Sequence, residues 1–523
     1  MTNVKQYLCS KRMFYTLCFV LLGMIDFVRH TQQEQWWGPA VNCTGILLMM
    51  IVLSEYERKE IMCLFTYIWS GISAVLLIIS AMWQNVYLFG IYKWTIFFAL
   101  LNIWLIGIPL YQIAKNIFIK KTVQIKWNAV IILVVAMVCC MMLSPYHAVW
   151  PVWFLVIFGM FYLTRFQEEN FKDLREAMTD GIMIAFVLLQ LYAYGYRPFD
   201  APRYVGAFSN SNMTALHYLV TYVAVLFKLH FLVTNESSKK WRIVFFVGAA
   251  GLLDFQILTM TRTAWVISAV ITFLFGILVV KNLWKKSGKA ILLRGMTLGI
   301  CAIVLFPVVF ATVRWLPPLR HHPIWYEGEW GENKVHSFDP PNSEKYTDFD
   351  EFMGTILERL KIISSIRNPL VLKAQAAEDI EYRPVSLSGP ENLTPSLRIR
   401  LTIYKAYLQD LNWTGHGKQE GHYIIPEIDT FVWHPQNLWI QVAYYYGIPA
   451  GILFSILSVL LFGKQIGAVV KHGENQYAFI PLLISIVFFL YGMTELVWTI
   501  GQMILFLFLF IQHPQFGPTK KLQ

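Results

Sequence analysis

The sequence predicts an all-α polytopic membrane protein of about 14 transmembrane helices, with one large extracytoplasmic loop that itself contains helices. Three observations carry this. Of 523 residues, 56% are hydrophobic, 16% aromatic and only 14% charged, whereas a soluble domain carries about 25% charged residues. Apolar windows of roughly 17 to 25 residues recur, long enough for a hydrocarbon core about 30 Å thick, and a helix satisfies its own backbone groups in lipid. Lysine and arginine are unevenly shared between alternate connections, the asymmetry that orients membrane helices.

In chain order the expected spans are residues 13–29, 38–54, 61–82, 95–113, 127–144, 150–164, 179–195, 213–233, 242–260, 263–281, 291–313, 438–463, 477–493 and 496–512. They divide the chain into a transmembrane bundle over 1–313, an extracytoplasmic loop domain over 314–437 and C-terminal transmembrane helices over 438–523. The first apolar run has span length and lacks a small-residue cleavage site, so it is expected to stay as an anchor.

Lys5, Lys11 and Arg12 precede the first span. Later alternate loops carry Lys115, Lys120, Lys121 and Lys126, then Lys239, Lys240 and Arg242, then Lys281, Lys285, Lys286 and Lys289. Both termini are therefore expected on the cytoplasmic side. The opposite short loops offer only Arg29, Lys93, Arg197, Arg203 and Arg262, so these few cations call for a reason. The net charge of +11 follows this asymmetry rather than a nucleic-acid surface, and no basic-aromatic binding motif argues for one.

Cys9, Cys18, Cys43, Cys63, Cys139, Cys140 and Cys301 lie in or beside spans and the large loop has none, so neither disulfides nor thiolate zinc sites are expected there. There is no internal repeat, phosphate-binding glycine loop or dinucleotide fingerprint, and ATP-driven transport has no support. No cofactor is implied.

The segment from about Arg314 to Trp433 alone has soluble composition. Its proline-rich opening, with Pro317, Pro318, Pro323, Pro340 and Pro341, predicts an extended, turn-rich cover. From Asp350 to about Ala377, Phe352, Met353, Ile356, Leu357, Leu360 and Ile363 recur at helical spacing, which fits either a helix lying on the bilayer or one packed on the rest of the loop. A second helix starts at Thr394, a suitable N-cap, with Pro395 at the first helical position and Leu397, Leu401, Tyr404, Leu408 and Leu411 on one face. Arg398 and Arg400 occupy its first turns. Arginine there does not complement the helix dipole, which favours anions, so amides and guanidinium together would make an anion site.

The loop returns to the membrane through Trp433-His434-Pro435-Gln436-Asn437 and continues to Gly447. Polar chemistry is delivered here to a membrane boundary, which makes the junction the candidate site.

Three features in this order resemble a known family. They are Gly206-Ala207-Phe208-Ser209-Asn210-Ser211-Asn212 at one span's start, Thr261-Arg262-Thr263-Ala264-Trp265 at another, and the Arg400-to-Gly417 helix followed by Asn437 and Gly447. Over roughly residues 200 to 460 the chain is similar to the O-antigen ligase and polysaccharide polymerase superfamily of bacterial envelope glycosyltransferases.

The resemblance implies a lipid-linked oligosaccharide donor on undecaprenyl pyrophosphate, a glycan acceptor, a site on the outer face of the bacterial cytoplasmic membrane, and room for a chain-length regulator as partner. Carried over by motif, Arg262 and Arg400 would hold the pyrophosphate, with Arg203 a looser match. The chemistry is consistent, because guanidinium forks stabilise a departing diphosphate without a metal, and the histidines and acids nearby have no recognised ligand spacing. Interface snorkelling is the plain structural alternative for the arginines. Asp254, eight residues before Arg262, reads as a partner for a cation or as a structural hydrogen-bonding group.

One departure stands out. The family pattern has histidine directly before the asparagine and glycine ten residues after it; Asn437 and Gly447 keep the spacing, but Gln436 occupies the histidine position. In an extended approach residues two apart face the same way, so His434 is the candidate to accept the proton of an attacking sugar hydroxyl. His416, His422, Glu420, Glu427 and Asp429 are substitutes, and Gln436 would otherwise orient the acceptor, supported by Asn437 and Asn212.

The expected activity is metal-independent, inverting polymerisation of lipid-linked repeat units. Polymerisation is preferred to ligation because the Trp433-to-Asn437 variation and the tyrosine-rich run after it look less like the ligase pattern. A flippase or exporter would want more charges in mid-span than Asp254 and His217, and a non-catalytic binding protein would explain the missing histidine.

Overall fold

The computed structural model describes residues 10–31, 36–88, 91–121, 129–145, 149–196, 199–200, 203–208, 210–234, 238–283, 289–319, 349–360, 383–388, 395–416, 423–428, 430–432, 434–471, 479–499 and 501–516. Helix dominates, as the composition requires. The first half of the bundle comprises α1 (Lys11–Thr31), α2 (Trp37–Leu53), α3 (Leu64–Met82), α4 (Lys93–Ala114), α5 (Ala129–Met142), α6 (Val149–Leu163) and α7 (Glu168–Tyr196). Then come α8 (Ser211–Thr234), α9 (Lys239–Leu258), α10 (Arg262–Leu283) and α11 (Lys289–Leu319). The loop segment carries α12 (Phe349–Leu360) and α13 (Pro395–Gln409), and the chain closes with α14 (Leu438–Tyr446), α15 (Ile448–Lys471), α16 (Phe479–Gly492) and α17 (Met503–Phe510).

Among the described residues, 7 helices are long and apolar enough to cross a membrane, and 5 further apolar helices have 10–17 residues. Among the described residues the helices of span length are fewer than the fourteen spans expected. The apolar run over 477–512 shows why: its polar residues Thr494, Glu495 and Gln502 fall in an irregular stretch between α16 and α17, so hydropathy counts two spans where the backbone forms one 14-residue and one 8-residue helix.

Among the described residues, three small sheets accompany the helices. Strands β1 (Tyr87–Leu88) and β2 (Ile91–Tyr92) form one hairpin, and β3 (Phe199–Asp200) and β4 (Arg203–Tyr204) another, with Asp200 opposite Arg203. In the loop segment, where helices and an extended, turn-rich cover were expected, β5 (Arg383–Pro384) pairs parallel with β6 (Tyr423–Ile425), which pairs antiparallel with β7 (Thr430–Val432). Of the helix expected over Asp350 to Ala377, the described part is α12. Its apolar face packs on the protein: Phe352 and Ile356 are buried, and Phe352 meets Phe310 of α11 at 5.2 Å between ring centroids.

Helix α16 is buried on nearly all sides, and Phe488 stacks on Phe508 of α17 at 4.1 Å. Helix α8 packs on α9 and α16. Toward its far end Lys228 pairs with Asp180 of α7 at 2.7 Å, and Arg12 of α1 pairs with Asp180 at 2.7 Å and Glu176 at 2.6 Å. Charges so poorly hydrated persist only when paired. They fix α8 against α1 and α7, and so fix where its other end, Asn212, points.

Candidate functional site

The site is assembled at the end of the bundle where α8 and α10 begin. Helix α9 stops at Leu258, and Met260, fully buried, takes φ +52. Left-handed backbone commonly ends a helix, usually on glycine; a methionine there is strained and must be held by its surroundings. The turn it makes presents Thr259, Thr261 and Arg262.

Arg203 clamps this turn to α8. Its Nε donates to the Thr259 carbonyl at 3.1 Å, and Nη2 donates to Asn212 Oδ1 at 2.7 Å and Thr261 Oγ1 at 3.1 Å. With its oxygen so engaged, the Asn212 amide must aim its Nδ2 elsewhere, and it donates to Glu495 Oε1 at 2.6 Å. The Tyr491 hydroxyl donates to the Asn212 carbonyl, and Thr494 Oγ1 donates to Thr263 Oγ1 at 3.0 Å. Four separate segments therefore meet: β4, the start of α8, the α9–α10 turn and the α16–α17 connection.

Helix α13 docks on the same place. The Tyr404 hydroxyl donates to the Met493 carbonyl and to that of Gln436 at 3.3 Å. One turn earlier, Arg400 is half-buried, within electrostatic reach of Glu495. Neither Arg400 nor Arg203 forms a direct ion pair with that carboxylate. Glu495 is 9% exposed, and burial raises its carboxyl to about 7 against the opposing pull of Arg400 and Arg203. The positive charges keep a desolvated carboxyl titrating near neutrality.

The predicted arginines thus divide. Arg203 and Arg400 share one cluster. Arg262, which the sequence places in a short loop beside a span, is exposed at the first residue of α10, with no hydrogen bond or ion pair to another described residue. Arg398, on the other side of α13, is half-buried. Asp254 is fully buried in α9 with both oxygens lacking a hydrogen-bond partner among the described residues.

The approach to α14 is not the extended strand expected. Strand β7 ends at Val432; His434 Nδ1 then accepts from the Gln436 amide at 3.3 Å, and Gln436 takes φ +48. The side chains of His434 and Gln436 therefore do not share one face as residues two apart in a strand would. Burial lowers the His434 imidazolium to about 4, so the ring is neutral at pH 7. Asn437 caps α14, its side-chain oxygen accepting from the amides of Trp439 at 3.1 Å and Ile440 at 3.2 Å. Its position is set by helix geometry.

His416 is held as a structural group. Its amide donates to the Tyr444 carbonyl at 3.0 Å, and its ring stacks on Tyr444 at 3.9 Å. This junction needs Gly415 (φ +83) and Gly447 (φ +92), because a Cβ on either would collide with the backbone of the other strand, at Tyr445 and Trp413. Glu427 is exposed and accepts from the Leu387 amide at 3.0 Å, bracing the small sheet. His422, Glu420, Asp429, Thr394, Trp433 and Arg197 lie outside the described residues.

Sequence reasoning missed Glu495. The signal was present: it is the sole carboxylate between Phe479 and the C-terminus, placed between two apolar runs, where an ionisable residue is costly and so tends to be functional.

Residues 247–455 match the family model described as O-antigen ligase. The chain carries an O-antigen ligase-family domain. The matched stretch begins within α9 and ends within α15, taking in Arg262, Arg400, Gln436 and Asn437. Arg203, Asn212 and Glu495 fall outside it and join the site by tertiary contact. Neither the curated proteins nor the solved structures contain a match to this chain.

Proposed function

We propose that this ligase-family protein is a polytopic glycosyltransferase of the bacterial cytoplasmic membrane, with about 14 membrane segments, both termini cytoplasmic and its site on the outer face. It polymerises oligosaccharide repeat units carried on undecaprenyl pyrophosphate, with inversion and without a metal. The observation that supports this most is the convergence of Arg203 and Arg400, from β4 and α13, on one cluster beside an exposed, unengaged Arg262. Three guanidiniums suit a diphosphate whose charge grows as its bond to the sugar breaks.

In this reading the acceptor hydroxyl oxygen bonds to the donor anomeric carbon from the face opposite the diphosphate. The carbon–oxygen bond to the diphosphate breaks with its electron pair, and the hydroxyl proton passes to a base. His434 and Gln436 line the acceptor side, and Asn437 and Asn212 support the two halves of the site. The domains are a bundle over 1–313, a loop domain over 314–437 that covers the site, and closing helices over 438–523. A chain-length regulator is a further partner. Ligation to a lipid or protein acceptor is the second reading, favoured by the description of the matching family.

The test is purified full-length protein in liposomes with extracted lipid-linked repeat units. Longer glycans together with free lipid diphosphate are expected, both lost in Arg262→Ala. Transfer to a different acceptor without lengthening selects ligation, and movement of lipid-linked sugar across the bilayer without diphosphate release overturns both.

A further inference from the structure

A transferase lacking the family histidine still has to dispose of the acceptor proton, and Gln436 cannot take it. We propose that Glu495, carried by the α16–α17 connection, is the general base that removes this proton; the proposal rests on the glycosyl-transfer reading above. Its carboxylate receives the proton as the acceptor oxygen bonds to the anomeric carbon and the diphosphate leaves with the electron pair. The carboxylic acid then returns the proton to water.

The geometry suits one free oxygen. Oε1 is occupied by the Asn212 amide, whose orientation is imposed by Arg203 and Thr261 on its other side. Oε2 makes no hydrogen bond to a described residue and is not among the sealed, unpartnered buried atoms. The carboxylate is thus oriented by one oxygen and left able to accept with the other. Position supports the same role. Tyr404 gathers the carbonyls of Gln436 and Met493 on one hydroxyl, which moors the connection bearing Glu495 beside the position where the family pattern has histidine.

Electrostatics favours it over His434. The charged and titratable groups facing Glu495 are Arg203 from β4, Arg400 and Tyr404 from α13, and Tyr491 from α16. The two arginines retain the anion in a buried place without neutralising it by contact. His434 is the weaker base, and its Nδ1 already accepts from its own chain.

The experiment measures donor binding and single-turnover diphosphate release against pH, in liposomes with extracted lipid-linked repeat units. In wild type, release rises with pH along one acid limb. Glu495→Gln is expected to bind donor within a few-fold of wild type, release diphosphate about 10² to 10⁴ times more slowly, and lose the limb. Glu495→Asp should retain a displaced limb, and His434→Ala should keep the limb where it is. If Glu495→Gln does not fold, the limb of Glu495→Asp decides. Turnover of Glu495→Gln within threefold of wild type, a limb that vanishes in His434→Ala instead, or an undisplaced limb in Glu495→Asp overturns the proposal. Wild type that binds donor yet releases no diphosphate removes the glycosyl-transfer reading itself.

Discussion

Asn212 and Glu495 stand 283 residues apart in the chain and share a 2.6 Å hydrogen bond that joins the start of α8 to the α16–α17 connection. Asn212 can serve this bond because Arg203 and Thr261 occupy its oxygen. A hydrogen bond to a charged acceptor contributes about 1.5–3 kcal/mol. Replacing Asn212 by Ala removes a donor that favours the carboxylate over the acid. The Glu495 carboxyl should therefore rise further, and the acid limb of the rate profile should move to higher pH. Diphosphate release measured from about pH 5 to 9 checks this.

Arg262 and Arg203 should behave differently. Arg262 is exposed and makes no hydrogen bond or ion pair with another described residue, so Arg262→Ala should change thermal stability by no more than about 0.5 kcal/mol. Diphosphate release should nonetheless fall about 10²-fold or more, since a group aimed at developing charge is lost. Arg203→Ala should lower both, because it removes the charged donor that ties Asn212 Oδ1 to the Thr259 carbonyl and leaves only Thr261 Oγ1 to serve them. Melting temperature and turnover on the same preparations separate the two.

Glu495 should act against stability at neutral pH. Its carboxyl lies at about 7 in the fold against an ordinary 4.5. A raised carboxyl pKa means the folded protein binds more protons than the unfolded chain across that window, so stability falls as pH rises from about 4.5 to 7. Glu495→Gln keeps the acceptor for Asn212 and removes the charge. It should stabilise the protein by on the order of 1–3 kcal/mol at pH 8 and by little at pH 4, as thermal unfolding in detergent would read.

His434 contributes with the other sign. Its imidazolium is lowered to about 4 from 6.5, so the folded protein resists a proton that the unfolded chain accepts. Stability should decline as pH falls from about 6.5 toward 4, and His434→Gln should flatten that decline.

Gly415 and Gly447 should be intolerant of any side chain. Both have positive φ, and each would drive a Cβ into the opposing backbone. Gly415→Ala or Gly447→Ala should cost about 1–3 kcal/mol. Because the two share one crossing, the double variant should cost less than the sum, which unfolding of both singles and the double would establish.

The sequence by itself determined what depends on composition and short spacing. A helical membrane body, Pro395 opening α13, Arg400 in its first turns, Arg262 at the head of a span and the Asn437–Gly447 interval all follow from residues within a turn or two of each other, where periodicity and capping chemistry act. Tertiary structure alone decided which of these residues meet. Whether Asn212 reaches Glu495, whether Arg262 is packed or exposed, and whether His434 looks toward Gln436 across a strand or folds back on its amide depend on how α8, α13 and α16 pack. The hydrogen bonds that bring Arg203 to Thr259 and Asn212 to Glu495 join residues tens to hundreds of positions apart. Such bonds leave no local pattern, because the donor on one segment is oriented only when the acceptor on another has arrived. Glu495 shows the boundary: its solitary charge among apolar neighbours was legible, while its place among Arg203, Asn212 and Arg400 was created by packing.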